Sequence, residues 1–350
     1  MKKSNLISII AAAVLLLGIT VMLFLTPGKS QETEPAHTQM PTESVPAVSE
    51  DLPVESTTEL PTLPPTEPPT EPPTDPPVET VPPTEWALTC KHAFVYDLDS
   101  GYPLYLGGDS AERLAPASLT KLATARTALA CMDPDTVVTV GEEVTWIDPE
   151  SSVAWLAPGH KLTVKMLVQG LIMQSGNDAA YALAVAGGRA ITGDETMDRR
   201  QAYNVFIDEM NKNVRELGLK NTHFMNPDGI DQEGHYTTVE DLIVLSRAYM
   251  ADPLLMEYAG TASADVEFVS GETCTWLNSN YLLQESTTYY TPDAIGLKTG
   301  STSQAGKCLI SVFQPEDGRN LIIGVLGCPL DEDRYVDTLK LYEMYKDKES

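Results

Sequence analysis

Three short groups of residues carry atoms suited to acyl transfer. The first is Ser118-Leu-Thr-Lys121, which follows Pro116-Ala117 and opens an Ala/Leu-rich stretch with helical spacing over 118–132. Residues i and i+3 share a helix face, so Lys121 Nζ is within reach of Ser118 Oγ. A serine hydroxyl needs a base to become a nucleophile. A lysine serves as that base only when neutral, and burial or a neighbouring cation lowers its pKa towards that state. The helix N-terminus adds positive potential where an oxyanion would form.

The second group is Ser175-Gly176-Asn177, in a turn between helices predicted over 162–173 and 178–187. Ser175 is placed to relay a proton to a leaving amine. The Asn177 amide is suited to holding a substrate carbonyl and Lys121 together. The third group is Lys298-Thr299-Gly300, which leads into a late β-rich region. Lys298 supplies a second cation, Thr299 a donor for a substrate carboxylate, and Gly300 room for an extended peptide to approach.

Each group alone is weak. Average residue usage gives S-x-x-K and S-x-N about once each by chance in a chain of this length, and K-T-G in roughly one such chain in ten. A lone serine at a helix start is commonly a cap. The ordered set is far more specific: a helix start, an inter-helix turn and a strand, separated by 57 and 123 residues.

The elements that must position these groups are legible in outline. Residues 93–99 and 103–106 read as a hairpin around Ser100-Gly101. Further helices are expected over 204–217 and 239–250, the former from the stripe Val205, Met210, Val214, Leu217. Strands follow over 307–313 and 320–327, and a last helix over 334–345. Strands, then helices, then strands, then a helix rule out regular βαβ alternation. The expected fold is α+β: the terminal strands form one antiparallel sheet with helices on both faces and an all-helical insert between.

On these residues the chain resembles the serine D-alanyl-D-alanine carboxypeptidases, low-molecular-mass penicillin-binding proteins whose superfamily shares this trio of motifs. The likeness extends to Pro158-Gly-His-Lys-Leu-Thr-Val164, to Leu217-Gly-Leu-Lys-Asn-Thr-His-Phe-Met-Asn-Pro-Asp-Gly-Ile230 and to His235-Tyr-Thr-Thr238. It covers roughly residues 87–345. The resemblance implies a five-stranded antiparallel sheet between helices, a covalent acyl-enzyme, and no metal or cofactor. It implies peptidoglycan stem peptides as substrates and β-lactam antibiotics as covalent inhibitors. By position it places the oxyanion N–H groups on Ser118 and Ser301, and an arginine for the terminal carboxylate at Arg334. The residue after K-T-G is often His or Tyr in the family, whereas here it is Ser301. A class A-like β-lactamase shares the three motifs but needs a deacylating E-x-x-L-N glutamate; Glu216-Leu-Gly-Leu-Lys220 lacks the asparagine. A non-catalytic wall-binding module on the same fold is the other alternative.

The N-terminal quarter differs in kind. Residues 7–25 form a 19-residue run without a charge, preceded by Lys2 and Lys3. At 1.5 Å per residue this spans about 29 Å, the thickness of a bilayer's hydrocarbon core. No small-x-small cleavage site follows, so an uncleaved anchor over 1–28 is expected, with a cleaved signal peptide as the alternative. The head then lies outside the cytoplasmic membrane. Many family members carry a C-terminal β-rich domain and amphipathic anchor; as this chain ends at Ser350, the N-terminal segment is expected to replace that anchor.

Between residues 31 and 85 lie 15 of the 26 prolines and 12 acidic residues, with no Lys or Arg. A disordered Pro/Thr/Glu-rich linker over 29–85 is expected, ahead of a catalytic domain over 86–350. The net charge of −27 makes nucleic-acid partners improbable on electrostatic grounds. The five cysteines show no CxxC pair and the five histidines no HExxH, so zinc spacing is absent. An odd cysteine count permits one or two disulfides in an exported chain; buried free thiols are the favoured reading.

Overall fold

The computed structural model describes residues 87–316 and 318–347. The anchor expected over 1–28 and the linker expected over 29–85 lie outside the described residues. Among the described residues, no helix is long and apolar enough to cross a membrane.

Nine strands and seven α-helices are described, with short 3₁₀ turns between. The first hairpin is β1 (His92–Asp97) and β2 (Pro103–Gly107), as the alternation and the Ser100-Gly101 turn imply. The last strands are β7 (Ala294–Thr302), β8 (Gly306–Phe313) and β9 (Leu321–Cys328). Together they form one antiparallel sheet of order β2-β1-β9-β8-β7. The N-terminal and C-terminal segments of the head therefore meet at the β1–β9 ladder, and β7 is left as an edge.

The pleat explains why the central strands read as nearly continuous apolar runs. Successive side chains point to opposite faces, and both faces are covered. Phe94, Tyr96, Ile310, Val312 and Ile322 enter the core shared with the helical insert. Ala93, Val95, Leu309, Phe313 and Ile323 enter a second core closed by α7 (Asp333–Tyr345). There Tyr342 stacks on Phe313 with ring centroids 4.1 Å apart, a contact worth about 0.5–1.5 kcal/mol beyond its area burial.

The insert contains α1 (Lys121–Cys131), α2 (Val164–Met173), α3 (Asn177–Thr192), α4 (Arg199–Glu216), α5 (Val239–Met250) and α6 (Pro253–Gly260). It also carries two small antiparallel ladders, β3 (Val137–Thr139) with β4 (Lys161–Thr163) and β5 (Ser263–Glu267) with β6 (Thr273–Leu277). So the insert is not all-helical. Leu162, expected in a helix, belongs to β4; Thr163 caps α2 by accepting from Met166 N–H. Helix α6 was not foreseen, although its signal is local: Asp252 accepts from the N–H groups of Leu254 and Leu255, and Pro253 occupies the first turn.

Candidate active site

The expected helix start at Ser118 is one turn of 3₁₀ helix, Ala117–Thr120, running directly into α1. Ala117 has φ +48°, a left-handed conformation for a buried non-glycine residue, which costs on the order of 1–3 kcal/mol. Its surroundings hold it there. His235 Nδ1 accepts from Met225 N–H at 3.1 Å, leaving Nε2–H to donate to Thr120 Oγ1 at 2.9 Å. Thr120 Oγ1 in turn donates to Ala117 O at 2.9 Å. Burial pushes His235 down to about 4, so the neutral tautomer this chain requires is the one present at neutral pH. Gly229, at φ +92°, passes so close that a Cβ there would lie 1.9 Å from Ala117 O.

Lys121 is fully buried and its Nζ touches three acceptors: Ser118 Oγ at 2.8 Å, Asn177 Oδ1 at 2.8 Å and Asp228 O at 2.7 Å. Two of these are carbonyl-type oxygens that accept only. In the neutral amine the two N–H bonds satisfy them, and the lone pair is left facing Ser118 Oγ–H. Desolvation brings the pKa down to about 8, against the opposing pull of Asp228 and Asp178. The amine is thus neutral for part of the time near neutral pH.

Ser175 and Asn177 come from the α2–α3 turn. Ser175 is buried in left-handed backbone, φ +56°, and the turn closes through Gln174 and Gly176 N–H groups on Gly170 O. Asn177 joins two partners, accepting from Lys121 and donating through Nδ2 to Ser151 Oγ at 2.8 Å. Its own N–H donates to Ser152 O at 2.9 Å. Asp178 pins the same flanking segment by accepting from the N–H groups of Ala154 and Leu156.

Strand β7 closes the other side. A Cβ on Gly300 would lie 3.1 Å from Ala117 Cβ and 3.3 Å from Ser118 N. The turn that carries Ser118 is thus packed closely enough that a side chain here would force it to give by a few tenths of an ångström. Lys298 is buried and its Nζ donates to Thr299 O at 3.1 Å. Burial first, then the charges of Lys121 and Arg334, hold it well below the ordinary lysine range. Thr299 Oγ1 pairs with Ser279 Oγ at 2.8 Å. Ser279 N–H donates to Met173 O, and its carbonyl accepts from Tyr335 O–H, so one residue ties the end of α2, the third motif and α7 together. Arg334 is buried at the start of α7. It donates from Nη1 to Gly300 O at 3.2 Å and pairs through Nη2 with Asp331 at 2.8 Å.

Ser118, Asn177, Asp228, Asp231 and Ser301 line one cleft of about 380 Å³. Asp231 fastens its rim, accepting from Thr302 Oγ1, Ser303 Oγ and Gln304 N–H. All three motifs expected to act together are therefore neighbours. Ser151, Asp178, Asp231, His235 and Ser279 were not singled out beforehand. Each acts through partners distant in sequence, so only the composition of the motif flanks hinted at them.

This sheet order, with a serine and a buried lysine facing a K-T-G edge strand, defines the class of serine DD-peptidase folds. The structure matches the crystal structure of the Streptomyces K15 DD-transpeptidase with a TM-score of 0.66 and 30% identity, over 73% of this chain and 97% of that one. The D-alanyl-D-alanine carboxypeptidase family profile matches residues 78–329. The chain belongs to that family. It is 30% identical over 264 residues to the D-alanyl-D-alanine carboxypeptidase DacF of Bacillus subtilis (strain 168), which covers 74% of this chain and 63% of that protein. It is 35% identical over 258 residues to the D-alanyl-D-alanine carboxypeptidase DacD of Escherichia coli (strain K12), covering 70% and 60%. The chain thus spans about three fifths of the length of these curated relatives.

Proposed function

We propose that this protein hydrolyses the terminal D-alanyl-D-alanine bond of peptidoglycan stem peptides through a seryl acyl-enzyme. The observation that carries this reading is the buried Lys121 amine 2.8 Å from Ser118 Oγ, with both of its other neighbours able only to accept. Ser118 attacks the penultimate carbonyl and its proton passes to Lys121. The Ser118 and Ser301 N–H groups receive the oxyanion. Collapse expels D-alanine, whose amine takes up the proton from Lys121 through Ser175. Water then enters, Lys121 accepts its proton, and that proton returns to Ser118 Oγ as the acyl ester is cleaved. Serine and lysine supply nucleophile and base themselves, so the scheme calls for no metal or cofactor. β-Lactams enter the same step but leave a longer-lived ester, because no E-x-x-L-N glutamate stands ready to deacylate it. Incubation with a labelled penicillin and with a D-Ala-D-Ala-ended peptide, read by mass spectrometry, tests both halves. Failure to form either a penicilloyl adduct or free D-alanine refutes the proposal.

The head is proposed to work outside the cytoplasmic membrane, held by the apolar run at 7–25 and spaced from it by the Pro-rich stretch. Mature protein should keep its N-terminus and fractionate with membranes; an N-terminus beyond Leu25 contradicts this.

The Arg334 guanidinium lies beside β7, bonded to Gly300 O, where a substrate's free C-terminus would lie. A partly desolvated charge-assisted contact contributes about 1.5–3 kcal/mol. Arg334→Ala is expected to lower kcat/KM about ten- to a hundredfold on peptides with a free C-terminus, while sparing the amidated analogue. Equal losses on both substrates would mean that its bond to Gly300 O supports β7 and nothing more.

A further inference from the structure

The five cysteines are free thiols, but two of them are not isolated. Cys90 lies two residues before β1, and Cys328 is the last residue of β9. The β1–β9 ladder pairs His92 with Leu326, and Lys91 N–H donates to Leu326 O at 2.9 Å, which brings residues 90 and 328 side by side. The Cys90 and Cys328 sulfurs and a carboxylate oxygen of Asp337 all lie within 4.8 Å of one another. Cys328 is fully buried, whereas Cys90 is partly open to solvent. The other three thiols are elsewhere: Cys308 turns its sulfur to Ala305 O, and Cys131 and Cys274 lie in the helical insert and on β6.

We propose that Cys90 and Cys328 are joined by a disulfide in the working protein. This inference rests on the extracytoplasmic placement proposed above, since a reducing cytoplasm would keep both thiols reduced. Closure requires the sulfurs to approach to about 2.05 Å. The two sulfurs start within 4.8 Å of each other. The reaction needs an oxidant, and the class is a reactive disulfide on a thiol–disulfide exchange protein. The accessible Cys90 thiolate attacks the carrier disulfide, giving a mixed disulfide and one carrier thiol. The Cys328 thiolate then attacks Cys90 Sγ and releases the second carrier thiol. Two electrons pass to the carrier, and the two protons end on its thiols.

The position gives the bond a purpose. Asp337, fully buried on α7, already gathers the incoming strand: Oδ2 accepts from Thr89 N at 2.7 Å, Thr89 Oγ1 at 2.9 Å and Cys90 N at 2.9 Å. A disulfide would lock that same point, where everything upstream joins the folded head. The hydrogen bond with Cys328, then burial and Asp337's charge, hold the Cys90 thiol far above its ordinary range.

The test uses the full chain, exported from its host and alkylated under denaturing conditions before and after reduction. The expected result is a peptide pair linked through Cys90 and Cys328, with Cys131, Cys274 and Cys308 alkylated without reduction. In intact protein, reductant should lower Tm by roughly 5–15 °C, because the bridge closes a loop spanning most of the fold. The Cys90→Ser/Cys328→Ser variant should lose that response while keeping its penicillin labelling. Alkylation of both thiols in exported protein, with no bridge after refolding in a glutathione redox buffer, overturns the proposal. So does stoichiometric zinc retained on two reduced thiols. Penicillin labelling read in parallel separates the two ideas: labelled protein with free thiols overturns the disulfide alone, and bridged protein without labelling overturns the enzymatic reading alone.

Discussion

Ser118→Ala is expected to abolish both covalent penicillin labelling and D-alanine release, leaving the fold intact. The side chain is half-buried at the mouth of the cleft, and its hydroxyl makes one bond, to Lys121 Nζ. Removing it leaves Lys121 with two acceptors, Asn177 Oδ1 and Asp228 O, enough for a neutral amine. The structural cost is therefore small, about 0.5–1.5 kcal/mol for one lost hydrogen bond. The chemical cost is total for acylation, because no ester can form without the oxygen. Intact-mass measurement after penicillin treatment decides the matter. An adduct on the folded variant would move the nucleophile to another residue.

Lys121→Met removes the base while roughly keeping the buried volume. Acylation by peptide and by penicillin should fall by about 10² to 10⁴, the usual contribution of a positioned general base. The pH dependence distinguishes this from a packing defect. Lys121 acts in its neutral form, and its pKa is brought down to about 8. Below that value the neutral fraction rises about tenfold per pH unit, and above it the fraction saturates. The wild-type acylation rate should therefore climb with pH to a plateau above about 8. The variant's residual rate should lack that limb. A variant that acylates at wild-type speed, or keeps the same limb, would refute Lys121 as base. The low pKa arises from desolvation, so a wild-type limb displaced to the ordinary lysine range would show that the pocket is wetter than the structure has it.

Reduced penicillin labelling in both variants would also fit a general loss of structure, so each needs a thermal melt beside it. The conformational demands of the site make this check worthwhile. Ala117 and Ser175 both sit in left-handed backbone without being glycine. Nothing in either side chain favours that. Ala117 is held by Thr120, His235 and the close approach of Gly229, and Ser175 by the closure of the α2–α3 turn.

What could be read from the sequence was what depends on near neighbours. The i,i+3 spacing of Ser118 and Lys121 follows from helix geometry, and it survives even though the first turn is 3₁₀. The hairpin, the late strands and the last helix follow from period and turn chemistry. The α+β class follows from element order, because strands at the two ends of a head can meet only through a sheet that spans them. The same logic should have yielded α6, whose Asp-Pro start is local.

Tertiary structure alone decided the quantities that turn motifs into a site. Lys121 is fully desolvated, which lowers its pKa, and it bonds the carbonyl of Asp228, 107 residues away. Gly300 is packed closely against the turn that carries Ser118, a contact between segments far apart in the chain. Ser279 joins Met173, Thr299 and Tyr335 across three separate elements. Cys90 and Cys328 meet only because β1 pairs with β9. Spacing along the chain reports which side chains share a face of one element. Burial, pKa and the closeness of groups hundreds of residues apart depend on how those faces are packed, and no local pattern encodes that.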